Sequence, residues 1–417
     1  MKNVSLVAAL FLSATVWADE DTLLRRVHTL LREVPLIDGH NDLAWQYRKR
    51  VRNRIEKIDL SRNTKDLKPT LHTDLPRMRA GGVGAQFWSV YVPVAYKGSE
   101  AVQAVVEQID VVHRFVNRYP DTLELALTAA DIERIHRSGK IASLIGMEGG
   151  HSIGNSMGAL RMLYRLGARS MTITHSKNVD WADSATDDPE HNGLSPFGEE
   201  VVREMNRLGM LVDLSHVSPD TMHDALDVTA APVLFTHSSA RSVTGHARNV
   251  PDDVLKRLPE RGSVIMVTFV PTFVSEKARE DYAAVSAEKE RLEKLHPGDP
   301  GKREELLEQW REQHPKPQAT LAQVADHIEY VIRLIGVDHV GIGGDFDGIE
   351  TVVEGLEDVS CYPRLLVELL RRGLSDKDIK KIAGLNVLRA MKEVERTARH
   401  LRGKQPPAAA VFNGDNS

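Results

Sequence analysis

Cysteine is almost absent from this sequence, and this scarcity narrows the chemistry that the protein can perform. The 417 residues include one cysteine, Cys361, which excludes an intramolecular disulfide framework, an iron–sulfur cluster and an all-cysteine zinc site. Positive charge is not in surplus either, because 54 Lys and Arg stand against 59 Asp and Glu. The formal net charge of −5 therefore predicts no nucleic-acid partner. Any metal must be bound by His, Asp and Glu side chains.

The apolar stretch near the N-terminus is too short to cross a membrane. Residues 6–17 follow Lys2 and provide about 12 apolar residues, whereas a transmembrane helix needs about 20. Val16-Trp17-Ala18 supplies the small residues that a signal peptidase requires before its cleavage site. We therefore predict that residues 1–18 are a signal peptide and that the protein is exported, to a periplasm or outside the cell. The mature chain is expected to carry no membrane anchor.

Eight short apolar runs alternate with longer amphipathic segments. The runs are Val34–Asp38, Val83–Tyr91, Ile141–Gly146, Ser170–Thr174, Met210–Leu214, Val233–Phe235, Val264–Val270 and Val340–Gly344. Such runs are typical of parallel strands that are buried on both faces. A glycine precedes most of them, in the position where a helix commonly ends. The pattern predicts the α/β class and one closed (β/α)8 barrel rather than several domains.

The barrel is predicted to occupy residues 19–395, with one large insertion and a tail. Residues 275–320 are highly charged and contain four prolines, which predicts two exposed helices as a rim or lid after the seventh strand. Residues 396–417 include Pro406-Pro407 and are predicted to form a disordered tail.

Titratable residues follow six of the eight predicted strands. They are His40, Asp42, Glu148, His175, His216, His237 and Asp345. The carboxyl ends of the strands are where such barrels place their catalytic residues. A single histidine at a strand end is more often a structural residue, but the coincidence across six strands favours a functional site. Buried charges at one opening also require a counterion, since unpaired buried charges are costly.

The number of candidate ligands predicts two metal ions. A catalytic zinc usually takes three protein ligands and keeps one open position, so five ligands are too many for one ion. We predict that His40, Asp42 and Glu148 bind one ion. Glu148, His216 and His237 bind the other, with Glu148 as the bridge. Nitrogen and oxygen ligands without thiolate fit zinc, with manganese or cobalt as alternatives.

Glycines flank two of these acidic residues. The simplest interpretation of Gly150 and Gly348 is turn geometry alone. The sequence contains neither a P-loop lysine pattern nor Gly-x-Gly-x-x-Gly, so nucleotide binding is not predicted.

The motifs around the predicted ligands resemble those of the membrane dipeptidase (renal dipeptidase) family of zinc peptidases, in the amidohydrolase-like barrel superfamily. The matching segments are residues 37–43, 80–89, 148–150, 174–175, 213–216, 236–241, 248–253 and 343–348. The resemblance implies two zinc ions on the five ligands named above. It also implies that His175 contacts the scissile carbonyl and the tetrahedral intermediate. Arg248 would hold the terminal carboxylate of the substrate, and Asp345 would act as acid and base.

By this resemblance the protein hydrolyses dipeptides, including those with a D-residue at the C-terminus, through a hydroxide that bridges the two ions. A homodimer is implied in the same way. Two departures from the family pattern stand out. Phe273 occupies a position where animal-type relatives have tyrosine, and the cysteines and C-terminal anchor signal of the animal enzymes are missing. The chain is thus expected to be a soluble, bacterial-type member.

Two other functions are compatible with such a site. The first is another hydrolase of the same superfamily, acting on a cyclic amide, a lactone or a phosphoester. Many of those enzymes bridge their ions with a carboxylated lysine on the fourth strand, where this chain has His175. The second is a metal-binding protein without catalysis. Asp345 and Arg248 argue against it, because metal retention requires neither.

Overall fold

The computed structural model describes residues 19–413, in which nine strands form one parallel sheet. The strands are β1 (Leu36–Asn41), β2 (Val83–Ser89), β3 (Leu123–Leu125), β4 (Ile141–Glu148), β5 (Ala168–Thr172), β6 (Leu211–Asp213), β7 (Leu234–Ser238), β8 (Val264–Val267) and β9 (Val340–Ile342). Eight of the strands follow one another in the order β2-β1-β9-β8-β7-β6-β5-β4, and β2 also pairs with β4. These eight strands therefore close into a ring, and the predicted (β/α)8 barrel is confirmed. The predicted signal peptide, residues 1–18, lies outside the described residues.

The ninth strand, β3, was not predicted. Leu123 and Leu125 pair with Ile141 and Ser143 at the beginning of β4, whereas the later part of β4 pairs with β5. The strand has the sequence Leu-Glu-Leu, which is too short to stand out as an apolar run. It therefore lies beside the barrel ring without being one of its eight members.

Sixteen α-helices lie in the described part of the chain. They are α1 (Glu20–Glu33), α2 (Leu43–Val51), α3 (Leu75–Ala80), α4 (Gly98–Arg118), α5 (Ala129–Arg137), α6 (Met157–Arg165), α7 (Pro196–Leu208), α8 (Pro219–Val228), α9 (Asp252–Leu255), α10 (Pro271–Val274), α11 (Glu276–Leu295), α12 (Pro300–Gln313), α13 (Leu321–Ile335), α14 (Tyr362–Arg371), α15 (Asp376–Lys380) and α16 (Asn386–Arg402). None of these helices combines the length and the apolar composition that crossing a bilayer requires.

Helix α7 shows how the local sequence sets the bounds of the helices. The Ser195 hydroxyl accepts a hydrogen bond from the backbone N–H of Gly198 at 3.3 Å, and Pro196 occupies the first turn. The helix ends at Gly209, whose φ of 86° is a left-handed conformation that glycine adopts without steric cost. The other glycines that precede predicted strands also have positive φ: Gly82, Gly139, Gly167, Gly262 and Gly336.

The helices pack their apolar faces on the barrel. In α4, Val105, Ile109 and Val112 recur at helical spacing and are buried. Full burial of one such side chain contributes about 1.5–3 kcal/mol. Every residue of β1 and of β8 is buried as well, as expected for a parallel sheet that is covered on both faces. The sheet and its helical layer therefore hold the strand ends in fixed positions.

The C-terminal segment differs from the prediction. Helix α16 continues to Arg402, beyond the predicted boundary at 395, because Val394 and Ala398 are buried on its inner face and α16 packs against α7. Residues 403–413 contain neither helix nor strand. They nevertheless contact the barrel domain. The Ala408 N–H donates to the Glu204 carboxylate at 3.1 Å, and the Phe412 ring packs against a phenylalanine ring on α7. The prediction of a disordered tail from 396 is therefore wrong for the helical residues 396–402.

Two helices lie within the charged insertion at 275–320. These are α11 and α12, which are joined by a bidentate ion pair between Arg311 and Asp281 at 2.6 and 2.8 Å. Helix α12 has no buried residue among those described. The pair therefore lies on the surface of the protein.

Candidate active site

The carboxyl ends of the barrel strands meet around a cavity of about 360 Å³. Its lining residues are Asp42, Trp45, Tyr91, Glu148, His175, His216, His237, Arg248, Val270, Phe273, Asp345, Gly348 and Ile349. His40, the remaining residue predicted for the site, is buried beside Glu148. The structure therefore brings together all eight residues that the sequence selected. The insertion that was predicted as a rim or lid contributes none of the lining residues.

One carboxylate oxygen, Glu148 Oε1, lies at the centre of four imidazole rings. The Nε2 atoms of His216, His40, His237 and His175 are 3.1, 3.4, 3.5 and 3.6 Å from it. The Nε2 atoms of His216 and His237 are 2.9 Å apart. Ring nitrogens that converge in this way present their lone pairs to one small region, which is the arrangement that a metal ion requires.

A second group of ligand atoms shares His40 with the first. It consists of His40, Asp42 and Asp345, with His40 Nε2 at 3.2 Å from Asp42 Oδ2. His40 Nε2 is fully buried and has no hydrogen-bond partner of acceptable geometry within residues 19–413. Buried nitrogens of this kind are rare unless something else satisfies them. The donor set of this second group therefore fits a metal as well.

The electrostatics of the site favour neutral rings at two of the three predicted histidine ligands. The third, His40, differs: burial lowers its pKa, but the Glu148 and Asp42 carboxylates outweigh this effect and raise the pKa well above its usual range. Burial lowers the pKa of His216 well below its usual range, and the nearby Arg248 guanidinium adds to the effect. Burial lowers the pKa of His237 in the same way. Both imidazoles are thus neutral at pH 7, and a neutral ring is the form that binds a metal.

The carboxylates of the site have opposite pKa shifts. Burial alone would raise the pKa of Glu148, but the His40 and His175 rings outweigh it and hold this pKa well below its usual range. Burial raises the pKa of Asp345 well above its usual range, and repulsion from Asp42 and Glu148 adds to the shift despite the opposing effect of His40. Neighbouring carboxylates with separated pKa values are typical of sites that move protons.

Two of the site residues have strained backbone conformations. His216 has φ 71° and Asp345 has φ 59°, both in the left-handed region. Such a conformation costs a non-glycine residue about 1–3 kcal/mol and persists only where neighbouring contacts hold it. The Ala185 N–H donates to the His216 carbonyl at 2.7 Å, and the Asp345 N–H donates to the His40 carbonyl at 3.2 Å. The strain therefore lies at two residues whose side chains must point into the site.

Asp213, at the end of β6, joins three strands beneath the histidines. Its Oδ2 accepts hydrogen bonds from the hydroxyls of Thr172 on β5 and Thr236 on β7, at 2.5 and 2.6 Å. Its Oδ1 accepts from the backbone N–H groups of Ser215 and Thr236, at 3.0 and 2.9 Å. Because these residues adjoin His216 and His237, the buried Asp213 sets the spacing of two predicted ligands.

Ser89, at the end of β2, orients the central carboxylate. Its hydroxyl donates to Glu148 Oε2 at 3.0 Å, which leaves Oε1 to face the imidazoles. Neither Ser89 nor Asp213 was predicted to belong to the site, although both lie in segments that resemble the family. The aromatic wall formed by Trp45 and Tyr91 was not predicted either; their ring centroids are 5.0 Å apart in an edge-to-face arrangement.

Arg248 lies at one end of the cavity and is 4% exposed. Its Nη1 donates to the Ser238 hydroxyl at 3.5 Å and its Nη2 to the His237 carbonyl at 3.3 Å. Within residues 19–413 no carboxylate oxygen lies within 4.0 Å of its guanidinium nitrogens, although the charge is buried. Burial lowers the pKa of Arg248 to about 10, so the side chain remains charged at pH 7. The arrangement can bind an anionic group that enters from the cavity.

The two glycines attributed to turn geometry have a further role. Neither Gly150 nor Gly348 has a positive φ. A side chain at Gly348 would place its Cβ 2.2 Å from Asp42 Oδ2 and 2.5 Å from Asp345 Oδ1. At Gly150 the Cβ would be 2.5 Å from a backbone carbonyl oxygen. Both positions therefore favour glycine because of close packing, in addition to the turn in which Gly348 donates its N–H to the Asp345 carbonyl at 3.2 Å.

We expect Asp213→Ala to lower the free energy of unfolding by about 3–5 kcal/mol, because several buried donors would lose one charged acceptor. Denaturant-induced unfolding of the metal-free protein measures this change. The control is Asp376→Ala, which removes an exposed ion pair with Arg26 and should cost about 1 kcal/mol or less. Equal losses in the two variants would show that Asp213 does not support the site.

Comparison with known proteins points to one family. A model of the membrane dipeptidase family (peptidase family M19) matches residues 24–405. Dipeptidase verJ of Clonostachys rogersoniana is 42% identical over 393 residues, which cover 92% of this chain and 90% of the relative. Dipeptidase tcpJ of Claviceps purpurea (strain 20.1) is 43% identical over 378 residues, covering 88% and 79%. The expectation of a soluble, bacterial-type member stays a prediction.

Solved structures show the same fold. The probable dipeptidase PvdM from Pseudomonas aeruginosa has a TM-score of 0.76 at 24% identity, covering 91% of this chain and 100% of that one. A metallo peptidase from Rhodobacter sphaeroides, liganded with a phosphinate mimic of the dipeptide L-Ala-D-Ala, has a TM-score of 0.70 at 24% identity, covering 87% and 99%. From the family match and the sequence relatives, this chain belongs to the membrane dipeptidase family, peptidase family M19, and is a hydrolase of peptide bonds.

Proposed function

We propose that this protein is a two-zinc dipeptidase whose ions share the Glu148 carboxylate. The observation that carries the proposal is the position of Glu148 Oε1, within 3.1–3.6 Å of four imidazole nitrogens. His40 and Asp42 would hold one ion, and His216 and His237 would hold the other. No lysine lines the cavity in the described chain, which argues against an enzyme that bridges its ions with a carboxylated lysine.

The metal chemistry follows from the donor set. Imidazole and carboxylate ligands without thiolate suit zinc, and they also accept manganese or cobalt. When bound, a pair of such ions supplies Lewis acidity toward the peptide carbonyl and lowers the pKa of water. The ligands keep their geometry through Asp213 and Ser89, so the residues position the reacting groups before the substrate arrives.

His175 is suited to stabilise the oxygen of the reacting carbonyl. In the tautomer that carries its proton on Nε2, its Nδ1 accepts a hydrogen bond from the Ser176 hydroxyl, 3.2 Å away. Burial lowers the pKa of His175, so the ring is a neutral donor at pH 7. A donor aimed at a developing oxyanion contributes about 2.7–4 kcal/mol in other hydrolases.

Asp345 is suited to move the proton. Burial raises the pKa of Asp345 well above its usual range, and a carboxylate with a raised pKa is suited to take up a proton and to give it back to the leaving amine. It lies beside His40 and Asp42, in the second group of ligand atoms. We assign Asp345 to the proton rather than to an ion, so that it acts on the attacking water and on the leaving group.

Arg248 is suited to bind the terminal carboxylate of the substrate. A guanidinium forms two parallel hydrogen bonds to a carboxylate, which an ammonium cannot reproduce. Because this group lies in the same cavity as the predicted metal ligands, a bound substrate must be short. The proposal therefore includes dipeptides, among them those with a D-residue at the C-terminus, and the dipeptide mimic bound to the Rhodobacter sphaeroides enzyme supports it.

We also propose that the chain is exported after cleavage at Ala18 and acts as a homodimer. The apolar stretch at residues 6–17 supports export, and the family resemblance supports the dimer. Native mass spectrometry of the mature protein tests both. A chain that begins at Met1, or a monomeric mass, would contradict the respective proposal.

Glu148→Gln is expected to reduce the bound metal from two ions per chain to one or fewer, because an amide cannot bridge two cations as an anion. Mutation of residues that merely support metal ligands lowers metal affinity or activity about 10–100-fold. The loss of a ligand itself should therefore lower dipeptidase activity at least about a hundredfold. Elemental analysis and dipeptide hydrolysis measure the two effects. Glu107→Gln on the surface serves as the control. Full activity of the Glu148→Gln variant or of the Glu107→Gln control without bound metal would contradict the proposal.

Arg248→Ala should lower kcat/KM for free-carboxylate dipeptides by about two to three orders of magnitude, since breaking a buried charged contact costs about 2–5 kcal/mol. The same dipeptides with an amidated C-terminus should be affected little. The kcat/KM of Arg248→Lys should lie between those of the unmutated enzyme and Arg248→Ala, because lysine keeps the charge but cannot form two parallel hydrogen bonds to the carboxylate. If the unmutated enzyme cleaves free and amidated dipeptides equally well, Arg248 does not bind the carboxylate.

A further inference from the structure

We propose that Phe273 is a positioning residue for substrate binding, because its ring holds the Arg248 guanidinium where the substrate carboxylate must bind. The inference rests on the proposed function, which assigns the carboxylate to Arg248. The side chain at position 273 is a phenyl ring, which carries no hydroxyl.

The hydrogen bonds of Arg248 are too weak to fix its position alone. The guanidinium donates to Ser238 at 3.5 Å and to the His237 carbonyl at 3.3 Å, both at the long end of the range for N–H donors. In the described chain no carboxylate oxygen lies within 4.0 Å of it. Another contact must therefore hold the group in place when the site contains no substrate.

The Phe273 ring supplies that contact. Arg248 Cζ lies 5.3 Å from the centroid of the ring, within the range of a cation–π interaction. The ring in turn packs against His246, with centroids 4.3 Å apart and planes tilted by 35°. His246 Nδ1 also accepts the backbone N–H of Arg248 at 3.1 Å. His246 therefore contacts both members of the pair, the ring of one and the backbone of the other.

A buried asparagine fixes the two segments relative to each other. The Asn249 side-chain amide donates to the Phe273 carbonyl on α10 and to the Thr244 carbonyl in the Arg248 loop, both at 2.8 Å. Asn249 is the residue next to Arg248, so α10 and the loop form one unit. The backbone segments that carry the ring and the guanidinium are consequently held together by the fold.

A contact to a ring face leaves the donors of the arginine free. A cation–π interaction requires no particular N–H group, so the donors not used by Ser238 and His237 remain available for a carboxylate. Recognition of the free C-terminus would then rest on one oriented guanidinium, with no hydroxyl from position 273. The ring thereby contributes to recognition through the orientation of the arginine.

The experiment compares Phe273→Leu, which removes the ring, with Phe273→Tyr, which keeps it. We expect Phe273→Leu to raise KM for a free-carboxylate dipeptide about tenfold, because the loss of a desolvated cation–π contact weakens binding by about that factor. Its kcat should change less than twofold. The inhibition constant of the amidated dipeptide, used as a competitor, should also change less than twofold because the amide does not use the charge. Phe273→Tyr keeps the ring and should therefore raise KM less than Phe273→Leu does.

An unchanged KM in Phe273→Leu would overturn the inference. A parallel rise of KM and of the amide inhibition constant would overturn it too, because the ring would then merely fill space. Phe273→Met provides a second ring-free variant if the leucine variant does not fold, as judged by thermal unfolding and metal content. Failure of the proposed function looks different: the unmutated enzyme itself would not distinguish the free dipeptide from the amide.

Discussion

The structure of this site depends on the burial of one carboxylate, Glu148, among four imidazole rings. Burying a charge without compensation is expensive, and imidazole rings compensate it only in part. Cations bound between these groups would satisfy the carboxylate and the ring nitrogens together. The low pKa of His216 and His237, the raised pKa of Asp345 and the buried charge of Arg248 all follow from the same exclusion of water. This exclusion strengthens each electrostatic interaction on which hydrolysis would rely.

The barrel provides what such a cluster needs, which is rigidity. The ligands come from the ends of different strands, and hydrogen bonds across the sheet fix their spacing. Asp213 connects β5, β6 and β7, and Ser89 on β2 orients the carboxylate at the end of β4. The left-handed backbone at His216 and Asp345 stores strain that this framework can bear. Removing one connection is therefore expected to affect both stability and metal binding.

Much of the fold and of the site could be predicted, because two strong signals agree. Buried parallel strands read as short apolar runs, and barrel chemistry lies at their carboxyl ends, so His40, Glu148 and the other ligand candidates could be selected by position. The supporting residues could not, because Asp213 and Ser89 act through hydrogen bonds between strands far apart in sequence. Strand β3 was not predicted because it has only three residues. The predicted end of the C-terminal helix was too early, because the Pro-Ala composition of the residues beyond 403 does not reveal how α16 packs. The roles of Gly150 and Gly348 depend on contacts that only the fold creates.

The most direct test of the account is a crystal structure of the zinc-loaded protein with anomalous scattering measured at the zinc absorption edge. The account predicts two peaks on either side of the Glu148 carboxylate, about 3.5–4 Å apart, as in two-metal hydrolases. One peak would lie near His40 and Asp42, and the other near His216 and His237. A single peak at full zinc occupancy, or two peaks that do not share Glu148, would contradict it.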